Sequence, residues 1–161
     1  MSIWIAAAAA LAAQAGAIPA PEEAGKAAVR TCVSREEAAR PVGSLTLAER
    51  RALIACAQRV AAAVLAEHLP MRVDELTTLI AVTADGIDLT YKYRVSAGRP
   101  AFRDGFDANL ARSVCADRGR ATVISAGGAY RYIWHDTSGR VVHRLTIDTC
   151  GEAAAEPQPV A

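Results

Sequence analysis

Three histidines have the most versatile side chains in this 161-residue chain, and they lie far apart in it, at His68, His135 and His143. Nucleophilic catalysis requires a serine or cysteine within reach of a histidine that a carboxylate orients. His135 and its neighbour Asp136 could meet His143 across a hairpin as a metal-like set, but strand alternation favours different heights for the two imidazoles. No H-x-x-x-H, G-x-S-x-G or phosphate-cradling motif accompanies them. We therefore interpret the histidines as structural and predict no catalytic residue, no metal ligand and no cofactor.

A second candidate constellation consists of four cations on alternating apolar/polar runs, Lys92, Arg94, Arg131 and Arg144. All four emerge on one face of a sheet if the aromatic side chains between them face inward. Such a face could bind an acidic protein partner, an anionic sugar or a phosphate headgroup. An ordinary solvated face is the alternative, because Asp88 and Asp148 are expected on the same side and mixed charge is common on exposed sheets.

Two predicted hairpins would position these cations. Alternating runs over residues 75–83 and 87–95 meet at Asp85-Gly86, which is typical of a type I′ turn because glycine accepts positive φ without a Cβ clash. Residues 129–135 and 140–149 form a second pair of strands joined by a short polar loop.

Helical signals precede each hairpin. Thr46-Leu47-Ala48-Glu49 has capping-box spacing and begins a helix predicted to run to about His68. A shorter helix begins at Ser34 and must end before Pro41. Residues 103–116 form a second amphipathic helix, followed by a helical turn over 121–126.

Asp104 and Asp107 lie one helical turn apart at the start of the second amphipathic helix, where carboxylates stabilise the helix dipole. The order helix, hairpin, helix, hairpin predicts an α+β fold with a four-stranded antiparallel sheet and helices packed on one face.

The N-terminal segment predicts export. An uncharged apolar run, IWIAAAAALAAQAGA, extends from Ile3 to Ala17 and ends in small residues with signal-peptidase spacing. We predict a signal peptide over 1–17, a linker over 18–33, a single domain over 34–151 and a disordered tail over 152–161. Met1-Ser2 supplies no basic side chain, so an uncleaved membrane anchor is one alternative and a soluble start is another.

Four cysteines are consistent with an oxidising compartment, the periplasm or the exterior, because no two of them are separated by only two residues, as in the C-x-x-C motifs of zinc and redox sites. They allow three connectivities. We favour Cys32–Cys56, which would close the N-terminal helical region, and Cys115–Cys150, which would tie a helix end to the last strand. Buried free thiols are the alternative.

The charge balance argues against a nucleic-acid partner. Eighteen Lys+Arg against 17 Asp+Glu leave a formal net charge of +1, far from a strongly basic surface.

A sequence pattern covers about half of the chain and runs through Leu69-Pro70, Val73-Asp74, Tyr91-Lys92-Tyr93, Val114-Cys115, Gly127-Gly128, Tyr130-Arg131-Tyr132 and Cys150. In this pattern the chain resembles small exported proteobacterial proteins of unassigned function. The resemblance implies the Cys115–Cys150 pairing, an exported location and a similar shape, but no activity. Cys32 and Cys56 fall outside it.

These observations favour a non-catalytic, exported binding or accessory module of the bacterial cell envelope, whose partner is an envelope protein or an anionic ligand. It would touch the membrane only through an uncleaved N-terminal segment. Two alternatives stay open. One is a small periplasmic hydrolase that uses His135 or His143, and the other is a subunit of an envelope secretion or pilus assembly.

Overall fold

A computed structural model describes residues 30–34, 39–40, 42–96 and 102–151. The predicted signal peptide and tail lie outside these residues, as do 18–29 of the linker and 35–38 of the short helix expected after Ser34. None of the helices in the described ranges is long and apolar enough to span a bilayer.

A five-stranded mixed sheet forms the centre of the domain, with its strands in sequence order across the sheet. Its strands are β1 (Met71–Arg72), β2 (Thr77–Asp85), β3 (Asp88–Val95), β4 (Tyr130–His135) and β5 (Val141–Ile147). Neighbouring strands are antiparallel except β3 and β4, which are parallel, with Leu89 opposite Tyr130 and Tyr93 opposite Trp134.

The prediction of a four-stranded, fully antiparallel sheet built from a helix, a hairpin, a second helix and a second hairpin is therefore wrong. The two hairpins are joined by a helical crossover that returns the chain to the end of the sheet where β3 began, so β4 runs in the same direction as β3. The additional strand β1 has only two residues, which pair with Leu79 and Thr78. Two residues are too few to show the alternation from which strands are predicted.

Three α-helices that lie wholly in the described ranges cover one face of the sheet. They are α1 (Leu47–Ala66), α2 (Phe106–Ala116) and α3 (Arg118–Ser125), and a 3-10 turn over Val42–Ser44 precedes α1. The helix α1 packs against β2 and β3, whereas α2 contacts α3 and β5. All three contribute side chains to a single core cluster.

The predicted capping box begins α1. Glu49 N donates to Thr46 Oγ1 at 3.2 Å, and Thr46 N donates to the Glu49 carboxylate at 2.7 Å. That backbone hydrogen bond, with an ion pair to Arg40, lowers the pKa of Glu49 to about 2. The carboxylate of Glu49 is therefore ionised, and able to accept the capping hydrogen bonds, at any pH well above about 2.

Aromatic side chains dominate the core side of β3 and β4. Tyr130, Tyr132 and Trp134 are each 4% exposed. Tyr91 stacks on Tyr132 with ring centroids 5.3 Å apart, and Tyr93 stacks on Trp134 at 5.5 Å. The parallel ladder sets this stacking, because it aligns the aromatic residues of the two strands in register.

Two disulfides tie the helices to their flanking segments. Cys32 pairs with Cys56 of α1, and Cys115 of α2 pairs with Cys150 beyond β5. The predicted disulfide bonds are therefore present, in the two pairings that the sequence favoured. Both lie on or beside the helical layer.

Removing the second disulfide should lower the free energy of unfolding by roughly 3–4 kcal/mol in the loop-entropy model, because the bond closes a separation of 35 residues. Urea unfolding of Cys115→Ala with Cys150→Ala, compared with the oxidised wild type, measures the loss. An unchanged unfolding midpoint and slope would contradict the expectation.

All four tyrosines of the chain should resist ionisation until the protein unfolds. Burial raises the pKa of Tyr91, Tyr93, Tyr130 and Tyr132. Because the pKa of each tyrosine is higher in the folded than in the unfolded state, burying the neutral phenols stabilises the fold fully below the unfolded pKa of about 10. This contribution to the free energy of unfolding is lost as pH rises above that value. Phenolate absorbance should therefore increase together with loss of the near-ultraviolet circular dichroism. An increase near pH 10 with that signal intact would contradict the burial argument.

Candidate functional site

The four predicted cations lie on the sheet face opposite the helices, which we call the open sheet face. Strand pairing arranges its residues in rows that cross the sheet. One row runs Ala81, Lys92, Ile133, Arg144, and the next runs Thr78, Arg94, His135, Val141. Along β3 and β4 the two rows are two residues apart, roughly 6–7 Å, so one ligand can reach both.

Two β-bulges flank the cations of β3. In β2 the register shifts between Leu79 and Ala81, leaving Ile80 unpaired. Between β4 and β5 it shifts at Trp134/His135, beside the turn that joins these strands. Bulges bend a strand and redirect side chains, and they are common beside binding sites.

A hollow of about 430 Å³ lies between the two bulges and is lined by Ile80, Lys92, Arg94, His135 and the turn residues 136–139. We call it the cationic hollow. Lys92 and Arg94 form no ion pair with any residue in the described ranges. Their charges are therefore available to a ligand.

The one carboxylate that lines the cationic hollow is already engaged. Asp136 accepts hydrogen bonds from Ser138 N at 2.9 Å, Arg140 N at 3.0 Å and Arg140 Nε at 3.2 Å. A further bond from the Ser138 hydroxyl is the main cause of the lowered pKa of Asp136. Because the carboxylate is saturated within the turn, the hollow presents donors and positive charge, and it suits an anion.

His135 is held in one orientation by the same turn. Its Nδ1 lies 3.0 Å from the Gly139 carbonyl oxygen. A carbonyl can only accept, so Nδ1 carries the proton and Nε2 is the nitrogen left for another partner.

The other two predicted cations have different surroundings. Arg131 Nη1 lies 2.7 Å from Asp88 Oδ2, while Asp88 Oδ1 accepts a 2.8 Å hydrogen bond from Ala129 N. Arg131 is therefore part of the junction that starts β4. Arg144 is exposed and lies in the row of Lys92, beyond Ile133. The structure thus brings Lys92 and Arg94 together in the hollow and leaves Arg131 and Arg144 outside it.

A second hollow of about 390 Å³ lies on the helical side and is lined by residues 102–108 and His143. His143 Nε2 is 2.7 Å from Asp107 Oδ1, and the imidazole stacks on Phe102 with centroids 4.5 Å apart. In this geometry a carboxylate orients a histidine. Among the described residues that line it there is no serine, threonine or cysteine to act as a nucleophile.

The pairing of His143 with Asp107 was not predicted from the sequence, because the two residues are 36 positions apart. Alternation on β5 places His143 on the side of Leu145 and Ile147, which is a signal that it faces the helices. The suggested set of His135, Asp136 and His143 does not assemble, because His135 lines the open sheet face and His143 the helical side. Within the described ranges no three metal-ligating side chains cluster.

No protein-family model matches the sequence, and no curated protein sequence matches it. The fold is similar to that of a candidate secreted protein from Pseudomonas aeruginosa, with a TM-score of 0.54 and 16% identity over 66% of this chain and 96% of the other. It is also similar to the pilotin of the Vibrio vulnificus type 2 secretion system, with a TM-score of 0.50 and 16% identity over 69% of this chain and 99% of the pilotin. At such identities the similarity defines a shared fold.

We expect the carboxylate of Asp88, on the open sheet face, to contribute to the free energy of unfolding. Asp88→Ala leaves the buried Ala129 N–H without its acceptor and should lower the free energy of unfolding by about 1–3 kcal/mol. The matched control is Asp148→Ala, an exposed carboxylate just after β5, which should change stability by less than about 0.5 kcal/mol. Equal effects in urea unfolding would show that the junction contributes nothing.

Proposed function

We propose that this protein is an exported, disulfide-stabilised binding module of the bacterial cell envelope that docks an acidic segment of another envelope protein on its open sheet face. The observation that carries the proposal is the cationic hollow. There Lys92 and Arg94 lack a counter-charge among the described residues, and the nearby carboxylate of Asp136 is saturated.

An exported location is supported by two disulfides, which persist in oxidising compartments and are rare in the cytosol. The shared fold with a candidate secreted protein points the same way. The pilotin with this fold belongs to a secretion system, and this analogy supports the proposal that the present chain is an accessory subunit of an envelope secretion assembly.

A protein segment fits the open sheet face better than a sugar or a lipid headgroup does. The half-buried aliphatic residues Ile80 and Ile133 lie beside the cations, Ile133 between Lys92 and Arg144 in one row. A peptide can present carboxylates and apolar side chains at the same spacing, whereas an anionic headgroup leaves the aliphatic positions uncovered.

The role of a small hydrolase is the second candidate, and it rests on the oriented His143–Asp107 pair beside the second hollow. General-base catalysis would require His143 to act on a water or a substrate group from its other nitrogen. On this view His143→Ala abolishes hydrolysis of a substrate and leaves acidic-peptide binding unchanged.

Reversing the two charges of the cationic hollow tests the binding proposal. Binding of a fluorescent oligoglutamate peptide should weaken at least about tenfold in Lys92→Glu with Arg94→Glu, because two attractive contacts become repulsive. Binding to the wild type should also weaken as salt is added. Fluorescence anisotropy measures the affinity, and urea unfolding shows that the variant is folded.

The matched control is Arg50→Glu with Arg59→Glu, which reverses two exposed cations on α1 and leaves the open sheet face unchanged. It should bind the peptide like the wild type. A wild type that does not bind, or a hollow variant that binds as well as the control, would overturn the proposal. As a second readout, the same envelope protein should be recovered by the wild type and the control but lost with the hollow variant.

A further inference from the structure

We infer that His135 is the third cationic donor of the cationic hollow and that the hollow takes up a proton when it binds a carboxylate. This inference rests on the proposed binding of an acidic segment and adds a regulation of that site by pH.

The position of His135 supports this role. Its Cα is the direct partner of Arg94 in the parallel ladder between β3 and β4. Residues opposite each other in a sheet lie close enough for their side chains to share one ligand. A carboxylate bound to Arg94 is thus a neighbour of the imidazole.

The turn after β4 fixes which nitrogen takes part. His135 Nδ1 donates to the Gly139 carbonyl. Gly139 is itself held in the turn, because its N–H donates to the Asp136 carbonyl at 3.0 Å. Gly139 has a φ of 84°, which glycine adopts without strain. A neutral His135 has only a lone pair on Nε2, which repels a carboxylate. A protonated His135 has an N–H there, which donates to one.

The charges of the groups around His135 favour protonation of its imidazole when an anion binds nearby. From β3 come Lys92 and Arg94, and from the turn comes Asp136, whose carboxylate is saturated by Ser138 and Arg140. The lining residue from β2 is Ile80 and the partner of His135 on β5 is Val141, neither of which carries charge. An arriving carboxylate therefore adds the one unshared negative charge near the imidazole, and this favours the imidazolium.

The other two histidines are placed elsewhere. His143 Nε2 already contacts Asp107 on the helical side, and His68 is exposed just after α1. Proton uptake on binding should thus depend on one residue.

Isothermal titration calorimetry tests the inference with the oligoglutamate peptide as probe. Titrations of the wild type near neutral pH, in two buffers of different ionisation enthalpy, should reveal net proton uptake. The affinity should fall as pH rises from about 6 to about 8, by no more than about tenfold per pH unit for a single proton.

His135→Gln is the decisive variant, because glutamine places an amide at about the position of Nε2 but cannot be protonated. It should retain weaker binding through Lys92 and Arg94 and lose both the proton uptake and the pH dependence. The control His68→Gln should keep both.

Binding by the wild type without proton uptake, or uptake that persists in His135→Gln, would overturn the inference and leave the binding proposal intact. Absence of peptide binding by the wild type would instead overturn the binding proposal itself.

Discussion

The parallel contact between β3 and β4 is the constraint on which the two sheet faces depend. At the start of this contact Leu89 N donates to the Ala129 carbonyl at 3.0 Å, and Ala129 N donates back to Asp88 at 2.8 Å. Gly128 makes the approach possible, because a Cβ there would lie 2.8 Å from Val123 Cγ1 and 3.0 Å from the Ile87 carbonyl oxygen. Only a residue without a side chain lets the chain leave α3 and enter β4 at this distance.

That one register serves both sides of the sheet. On the helical side it stacks Tyr132 against Tyr91 and Trp134 against Tyr93. Because side chains alternate, the same pairing sets Ile133 beside Lys92 and His135 beside Arg94 on the open sheet face. A shift of β4 by one residue would place aromatic side chains in solvent and cations in the core, so the packing of the core also fixes the geometry of the hollow.

Local sequence signals predicted the positions of the helices and strands well. They did not predict how strands distant in the sequence pair in the sheet. The capping box at Thr46 and the turn at Asp85-Gly86 depend on neighbouring residues, and both hairpins and the amphipathic helices are found where periodicity indicates them. The direction of β4 relative to β3 depends on the path of α2 and α3, which no strand pattern contains. Alternation also placed the four cations on one face, but the bulges that form the hollow follow from shifts in register that periodicity does not show.

Among the described residues no helix covers the open sheet face, and charge is the usual way to keep such a face soluble. Outside the cationic hollow, Arg131 of this face is paired with Asp88. Around the cationic hollow the pattern differs. The carboxylate of Asp136 serves the turn, the ammonium of Lys92 and the guanidinium of Arg94 have no counter-charge among the described residues, and half-buried Ile80 and Ile133 lie beside them. A partner that supplies an anion next to an apolar group would give these cations an ion pair and cover the aliphatic side chains, and this is the physical basis of the proposed docking.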